Sequence, residues 1–123
     1  MRQSQYNNFV NITVNYSITY YSEEVQEEIL GLPDTLAARY IVLSRRIEAL
    51  GAHLGEPHTK AFGHGLFELR LKGAEGIARV FFCTIIGKQV VMLHSFVKKT
   101  NKTPPRELAV AESRMKEIKH ANP

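Results

Sequence analysis

The sequence is poor in cysteine and tryptophan and has no long apolar segment. It holds one cysteine, Cys83, and no tryptophan in 123 residues. One cysteine cannot form an intramolecular disulfide, and the apolar neighbours of Cys83 indicate a buried, inert thiol. The apolar runs are far shorter than the roughly 18 residues of a membrane helix, and residues 1–10 lack the apolar stretch of a signal peptide. We therefore expect a cytoplasmic protein that makes no membrane contact.

The chain length suits a single domain. A protein of 123 residues buries roughly two thirds of its unfolded surface, so it needs neither a disulfide nor a metal for stability. Repeats, low-complexity segments and interdomain linkers are absent from the sequence. We predict a polar N-terminal tail over residues 1–9 and one domain over residues 10–123.

Positive charge is concentrated in the second half of the chain. Residues 1–59 hold four Lys and Arg against seven Asp and Glu, whereas residues 60–123 hold twelve against five. Such asymmetry is typical of a protein with a polyanionic partner, which is RNA, DNA or an acidic protein. A solvated basic surface without a partner is the simpler alternative.

The N-terminal part predicts a strand followed by a helix. Residues 10–21 alternate β-branched or aromatic residues with Asn, Ser and Thr, which is the period of a half-buried strand. Ser22 is a candidate N-cap for a short helix that ends near Leu30, with Glu23 and Glu24 in its first turn.

Two further helices are indicated by apolar residues at helical spacing. Asp34 or Thr35 is expected to cap the second helix, which ends near Gly51. Thr103 and the two prolines after it are expected to cap the last helix. Its apolar stripe is Leu108, Ala111, Met115 and Ile118.

Between these helices the sequence becomes strand-like from Lys60 onward. Phe67, Leu69 and Leu71 alternate with charged residues, which predicts one buried and one charged face. The segment 73–76 has the length of a hairpin turn. The nearly apolar runs 77–86 and 89–97 then predict two central antiparallel strands. The fold class is therefore α+β.

Basic residues fall on successive strands of this predicted sheet. Arg70 and Lys72 share one strand, and Arg79 lies inside the next, otherwise apolar one. A guanidinium there must either pair with an acid such as Glu68 or line a solvated anion site. Both interpretations stay open. The last strand is followed by further basic residues, Lys98, Lys99 and Lys102.

Three segments carry a resemblance to a known family. They are LFELR at 66–70, ARVFF at 78–82 and HSFVKKTNKTP at 94–104. In this order they resemble the RelE/ParE superfamily of type II toxins, specifically its phage-derived HigB-like branch, over about residues 12–120. The resemblance implies a single RelE-like domain: an N-terminal strand and two helices packed on a twisted antiparallel sheet, with a C-terminal helix.

The activity implied by this resemblance is ribosome-dependent cleavage of mRNA in the 70S decoding site, which inhibits translation. Such enzymes act without a metal or cofactor, by attack of the 2′-hydroxyl of the RNA on the adjacent phosphate. A cognate helix-turn-helix antitoxin is the implied partner that neutralises the toxin, and operator DNA is implied to be bound only through that antitoxin.

The resemblance also implies roles for individual residues. Arg79 matches the strand arginine that holds the scissile phosphate, and Arg70 matches the basic position on the preceding strand. A tyrosine that some relatives carry is missing, and His94 or Phe96 is a candidate replacement. The implied catalytic set is Arg70, Arg79, His94, Lys98 and Lys99, and the implied RNA-binding set is Lys72, Phe96, Lys102, Arg114 and Lys116.

Each of these roles has a structural alternative. His94 is first a candidate structural histidine, Phe96 a candidate core residue, and the last helix a candidate amphipathic lid. At the level of the whole protein, the alternatives are a ParE-like toxin that inhibits DNA gyrase without cleaving RNA, and a degenerate toxin acting only in an autoregulatory antitoxin complex.

Overall fold

The computed structural model describes residues 15–98 and 102–122. Residues 1–14 and Lys99 lie outside this range, so the predicted tail, the first part of the predicted strand and the role of Lys99 stay predictions. The strands are β1 (Ser17–Tyr20), β2 (Thr59–Gly63), β3 (Leu66–Gly73), β4 (Gly76–Ile85) and β5 (Gln89–Lys98), and the helices are α1 (Glu23–Leu30), α2 (Asp34–Leu50) and α3 (Pro105–Ala121).

The described strands form one five-stranded sheet in the order β1-β5-β4-β3-β2. The neighbours from β2 to β5 are antiparallel. Strand β1 instead lies parallel to β5 at the sheet edge. The predicted α+β class is confirmed, including the C-terminal helix, and the two central strands lie where the apolar runs predicted them.

The two faces of the sheet have different helical covers. Alternate strand residues, among them Leu69, Val80 and Met92, pack with α1 and α2 in the larger core. The opposite face packs Phe81, Cys83 and Leu93 against α3. Side chains alternate between the two faces along each strand. Because helices cover both faces of the inner strands, these strands are apolar nearly throughout. Burial raises the pKa of the Cys83 thiol to about 11, in keeping with the predicted inert cysteine.

A β-bulge in β5 decides which of its side chains face α3. Phe81 pairs with His94 while Phe82 pairs with Met92, which leaves Leu93 as the extra residue. An extra residue reverses the side-chain alternation beyond it. His94 and the alternate residues after it therefore share a face with Phe81, although Met92 points to α1 and α2.

Two predicted helix caps are wrong, because the side chains involved bind elsewhere. Helix α2 starts after Pro33 without a side-chain cap. Thr35 lies in the first turn and instead bonds Glu75 and the Ala74 amide. Helix α3 follows Pro104 without a side-chain cap, and Thr103 donates to Glu68. The predicted Ser22 cap of α1 is confirmed by its bond to the Val25 amide, 3.1 Å.

Candidate active site

The basic residues of the central strands meet on the α3 face of the sheet. Arg70 of β3 lies opposite Arg79 of β4, which in turn lies opposite Phe96 of β5. In the next row, Ile77 lies between Lys72 and Lys98. Four cations from three strands therefore occupy neighbouring positions on one face, as the strand order predicts.

Glu68 is the carboxylate at the centre of this group. Its side chain is 1% exposed, and its Oε1 lies 3.5 Å from Nε of Arg70 and 3.5 Å from Nε of Arg79. Its Oε2 accepts a hydrogen bond of 2.6 Å from the Thr103 hydroxyl. A carboxylate so buried is stable only when it is paired and hydrogen-bonded. The predicted charged face of β3 is thus partly interior, because the chain before α3 covers Glu68.

Arg79 combines the two interpretations that the sequence left open. It pairs with Glu68, and its side chain also lines a solvent cleft. Its Nε is buried, and it forms no hydrogen bond within the described part of the chain. Burial and the nearby Arg70 lower the pKa of Arg79, while Glu68 opposes them. A second anion on this guanidinium would satisfy hydrogen-bond donors that Glu68 does not fully use.

Lys98 ends β5 beside the same group and is buried. Its pKa is lowered from the usual lysine value, first by burial and then by the charge of Arg79, with smaller contributions from Arg70 and Lys60. Glu68 acts in the opposite direction. A lysine shifted in this way gives up its proton more readily than one in water, which suits proton transfer.

A cleft of about 370 Å³ opens beside Arg79 at the edge of the sheet. Strand β2 reaches β3 only as far as Leu69, so among residues 15–98 and 102–122 the last residues of β3 have no strand partner on that side. Five of the seven lining residues carry basic side chains, counting histidine. The lining residues are Arg39, Pro57, His58, Arg70, Lys72, Ile77 and Arg79.

His94 and Phe96 lie on the same face, next to Arg79 but toward α3. His94 Nε2 lies 2.6 Å from Oε1 of Glu107, so it ties β5 to the first turn of α3. Phe96 stacks on Phe81 with ring centroids 6.0 Å apart and packs against the α3 core. These contacts favour the structural alternatives for both residues.

The other predicted RNA-binding residues lie on or near α3. Arg114 donates to the Leu93 carbonyl at 2.8 Å, and its guanidinium lies 4.8 Å from the centre of the Tyr21 ring. Lys116 lines a separate shallow surface of α3. Lys102 is exposed just before α3. The structure therefore places Arg70, Lys72, Arg79 and Lys98 together and does not place Arg114 or Lys116 with them.

Arg39, His58 and Lys60 were not among the predicted site residues. Arg39 belongs to α2, and His58 lies in the loop before β2, so both precede the basic strands in the sequence. Lys60 pairs in register with Glu68 across β2 and β3. No sequence pattern joins these three residues to the basic strand positions, since their proximity follows from the tertiary fold.

Metal ligands do not cluster in the described ranges. Among residues 15–98 and 102–122, no three His, Cys, Asp or Glu side chains lie close enough to hold one ion. His53 instead packs edge-on against the Phe67 ring, 4.8 Å between centroids. In the same ranges, no helix is long and apolar enough to cross a membrane.

Comparison with known proteins shows which fold this chain shares. A search of the curated proteins gave no match. Among solved structures, the chain is similar to Escherichia coli toxin RelE in the free state, in a variant with two arginines replaced by alanine. That similarity has a TM-score of 0.61 at 13% identity and covers 82% of this chain and 98% of the other.

A family model described as "Phage derived protein Gp49-like" matches residues 27–116, which is most of the chain. This range contains the basic strand positions and the buried Glu68. The resemblance to RelE-type toxins of the phage-derived branch is thereby confirmed. The chain belongs to the phage derived protein Gp49-like family and has the fold of the RelE toxins.

Proposed function

We propose that this protein is a ribosome-dependent endoribonuclease that cleaves mRNA in the decoding site and is neutralised by a cognate helix-turn-helix antitoxin. The observation that carries the proposal is the cleft beside Arg79, where basic side chains from two strands and a helix surround a space open to solvent. Single-stranded RNA is a flexible polyanion, and a groove of fixed cations is the usual way to hold one.

The reaction we propose needs only groups of the RNA and the protein. The 2′-oxygen attacks the neighbouring phosphorus, the bond to the 5′-oxygen breaks, and the products are a 2′,3′-cyclic phosphate and a 5′-hydroxyl. One proton leaves the 2′-hydroxyl and another reaches the departing 5′-oxygen. Negative charge grows on the phosphate oxygens between these events, so cations fixed at that position lower the barrier.

Arg79 and Arg70 are the groups that we assign to this charge. Arg79 is held in place by β4 and by Glu68, so its guanidinium needs little reorganisation during the reaction. A planar guanidinium matches two phosphate oxygens at once. Removal of such a donor costs about 3 kcal/mol of transition-state stabilisation in comparable sites.

Lys98 is our candidate for proton transfer. Lys98 is buried near Arg79, and its pKa is lowered by burial and by the neighbouring cations. His94 is assigned a positioning role instead, because its Nε2 is bound to Glu107 at the start of α3. Lys99 remains a candidate for either role by its place in the sequence.

The proposal is tested by translation of a defined mRNA in the presence of the protein, with 5′ ends mapped by primer extension. We expect cleavage only on translating ribosomes, and loss of cleavage with Arg79→Ala. Arg46→Ala is the matched control, since this exposed arginine of α2 does not line the cleft. Circular dichroism and urea unfolding verify that both variants fold.

Intact mRNA with folded wild-type protein would overturn the nuclease assignment. Gyrase supercoiling and antitoxin binding are then the assays that separate the two alternatives. Equal cleavage by wild-type protein and Arg79→Ala would support the nuclease assignment but would show that Arg79 does not hold the scissile phosphate.

A further inference from the structure

The cleft extends beyond the residues needed for a single phosphate. Arg79 and Arg70 lie at its sheet side, whereas Arg39 lines it from α2 and His58 from the loop before β2. An RNA strand whose scissile phosphate lies on Arg79 continues in at least one direction along this opening. The outer part of the cleft is therefore available to a neighbouring nucleotide.

The position of Arg39 is fixed by the contact between α2 and the β3–β4 turn. Thr35 accepts a hydrogen bond of 2.9 Å from the Ala74 amide and also bonds Glu75. Arg39 follows Thr35 by one helical turn, on the same side of α2. Helix and turn thus hold Arg39 at the sheet edge where Lys72 projects.

His58 lines the cleft from the loop before β2. Its carbonyl accepts a hydrogen bond of 2.8 Å from the Arg70 amide, and its amide donates to the Gly55 carbonyl at 2.9 Å. The backbone on both sides of the cleft is thereby part of the hydrogen-bonded framework. The lining side chains are presented from fixed elements, as a preformed binding site requires.

Arg39 and Lys72 differ from Arg70 and Arg79 in their surroundings among the described residues. Within residues 15–98 and 102–122, no carboxylate lies at ion-pair distance from either side chain, whereas Glu68 lies close to Arg70 and Arg79. Binding of an external anion therefore costs less free energy at Arg39 and Lys72, which line the outer part of the cleft, than at Arg70 and Arg79, which line its inner part. Pro57 and Ile77 add apolar surface between the charges.

We propose that Arg39 and Lys72, with His58 from the loop before β2, form a second binding position for single-stranded RNA, which takes the phosphate of the nucleotide next to the cleaved bond. Its sugar or base packs on Pro57 and Ile77. The assignment rests on the proposed function in one respect, namely that the scissile phosphate lies on Arg79.

The test uses 2′-O-methyl oligouridylates, which cannot be cleaved by 2′-hydroxyl attack. Probes with one and with two phosphodiesters are titrated into labelled protein and followed by amide NMR. We expect the second phosphodiester to increase the affinity of the wild-type protein about five- to tenfold, because it adds a charge-assisted contact. The resonances of residues 58 and 72 should move further with the longer probe.

Arg39→Gln keeps the length of the side chain and removes its charge. We expect this variant to lose the gain from the second phosphodiester, measured as the ratio of its affinities for the longer and the shorter probe. Its slope of log affinity against log salt for the longer probe should fall by about 0.7, the value for one contact on a single strand. Arg46→Ala, on the same helix outside the cleft, should retain both the affinity gain from the second phosphodiester and the wild-type salt dependence.

The inference is overturned if Arg39→Gln keeps the full gain from the second phosphodiester, or if the longer probe moves only resonances remote from the cleft. Because the probes are uncleavable, absence of ribosomal cleavage overturns the proposed nuclease without affecting this measurement. The two failures are therefore distinguishable.

Discussion

Arg70 and Arg79 lie directly opposite each other on β3 and β4, two like charges in one cross-strand pair. Such a pair destabilises a sheet when nothing offsets it. Glu68, two residues before Arg70 on the same face, lies 3.5 Å from Nε of both arginines. The fold thus keeps two cations close together at the cost of burying one carboxylate.

Glu68→Gln should lower the free energy of unfolding by about 3 kcal/mol, since removal of one partner from a buried ion pair leaves the other charge uncompensated. Urea unfolding measures this difference. Glu112→Gln, an exposed carboxylate on α3, is the control and should change stability by less than about 0.5 kcal/mol. Combining Glu68→Gln with Arg79→Met should recover part of the loss. Equal stability of Glu68→Gln and the control would contradict the account.

The pKa of Lys98 should respond to its two neighbours with opposite signs. Arg79 lowers this pKa and Glu68 raises it. Arg79→Met should therefore raise the pKa of Lys98, and Glu68→Gln should lower it further. Side-chain NMR titration of the Lys98 ammonium measures both changes, with Arg46→Ala as a variant expected to cause none. A shift of the same sign in both variants would exclude direct charge effects as the cause.

Stability should fall at alkaline pH because of Tyr40. Its buried hydroxyl lies 2.7 Å from that of Tyr20, and burial raises its pKa above the usual tyrosine value. The neutral phenol is thus favoured in the folded state. Its contribution is complete below the unfolded pKa of about 10 and is lost as the pH rises above it.

Tyr40→Phe should weaken this alkaline loss and should cost about 1 kcal/mol at neutral pH, the usual value of one hydrogen bond. Tyr20→Phe removes the same bond but keeps the buried phenol, so its alkaline loss should persist. Unfolding free energies measured across pH separate the two variants. An unchanged alkaline slope in Tyr40→Phe would assign the effect to another group.

Arg114 and Lys116 are both basic residues of α3, but they should differ in their contribution to stability. Arg114→Ala removes the bond to the Leu93 carbonyl and the contact with the Tyr21 ring. We expect a loss of about 1–2 kcal/mol in unfolding free energy. Lys116→Ala, at an exposed position, should change stability by less than about 0.5 kcal/mol.

Ribosome binding in a salt series then tests the RNA-binding role that the resemblance implies for both residues. A reduced salt slope in Lys116→Ala at unchanged stability would support a phosphate contact by α3. An unchanged slope in both variants would leave Arg114 as a structural residue and would count against the contact.

Much of the secondary structure was predictable because it depends on local patterns. The Ser22 cap, the turn at 73–76 and the two apolar central strands all follow from residue type and spacing. The caps assigned to Thr35 and Thr103 were wrong for a common reason. Each threonine has a distant partner, Glu75 or Glu68, and nothing in the neighbouring sequence indicates that partner.

The candidate site was predictable only in part. Arg79 stood out because a guanidinium inside an apolar strand requires an anion. The basic residues on the neighbouring strands followed from the order of the strands, and the family resemblance added their roles. Arg39 and His58 were missed because a helix residue and a loop residue reach the cleft only through the packing of α2 and the short reach of β2.

By itself the sequence determined the α+β class, the basic second half and the arginine that needs an anion, since composition and periodicity depend only on the order of residues. The tertiary structure decided which cations meet. The extra residue Leu93 turns His94 and Lys98 to the face of Arg79, and the short β2 leaves the sheet edge open beside it. Register, bulges and strand length arise from pairing between distant segments, so a local pattern does not contain them.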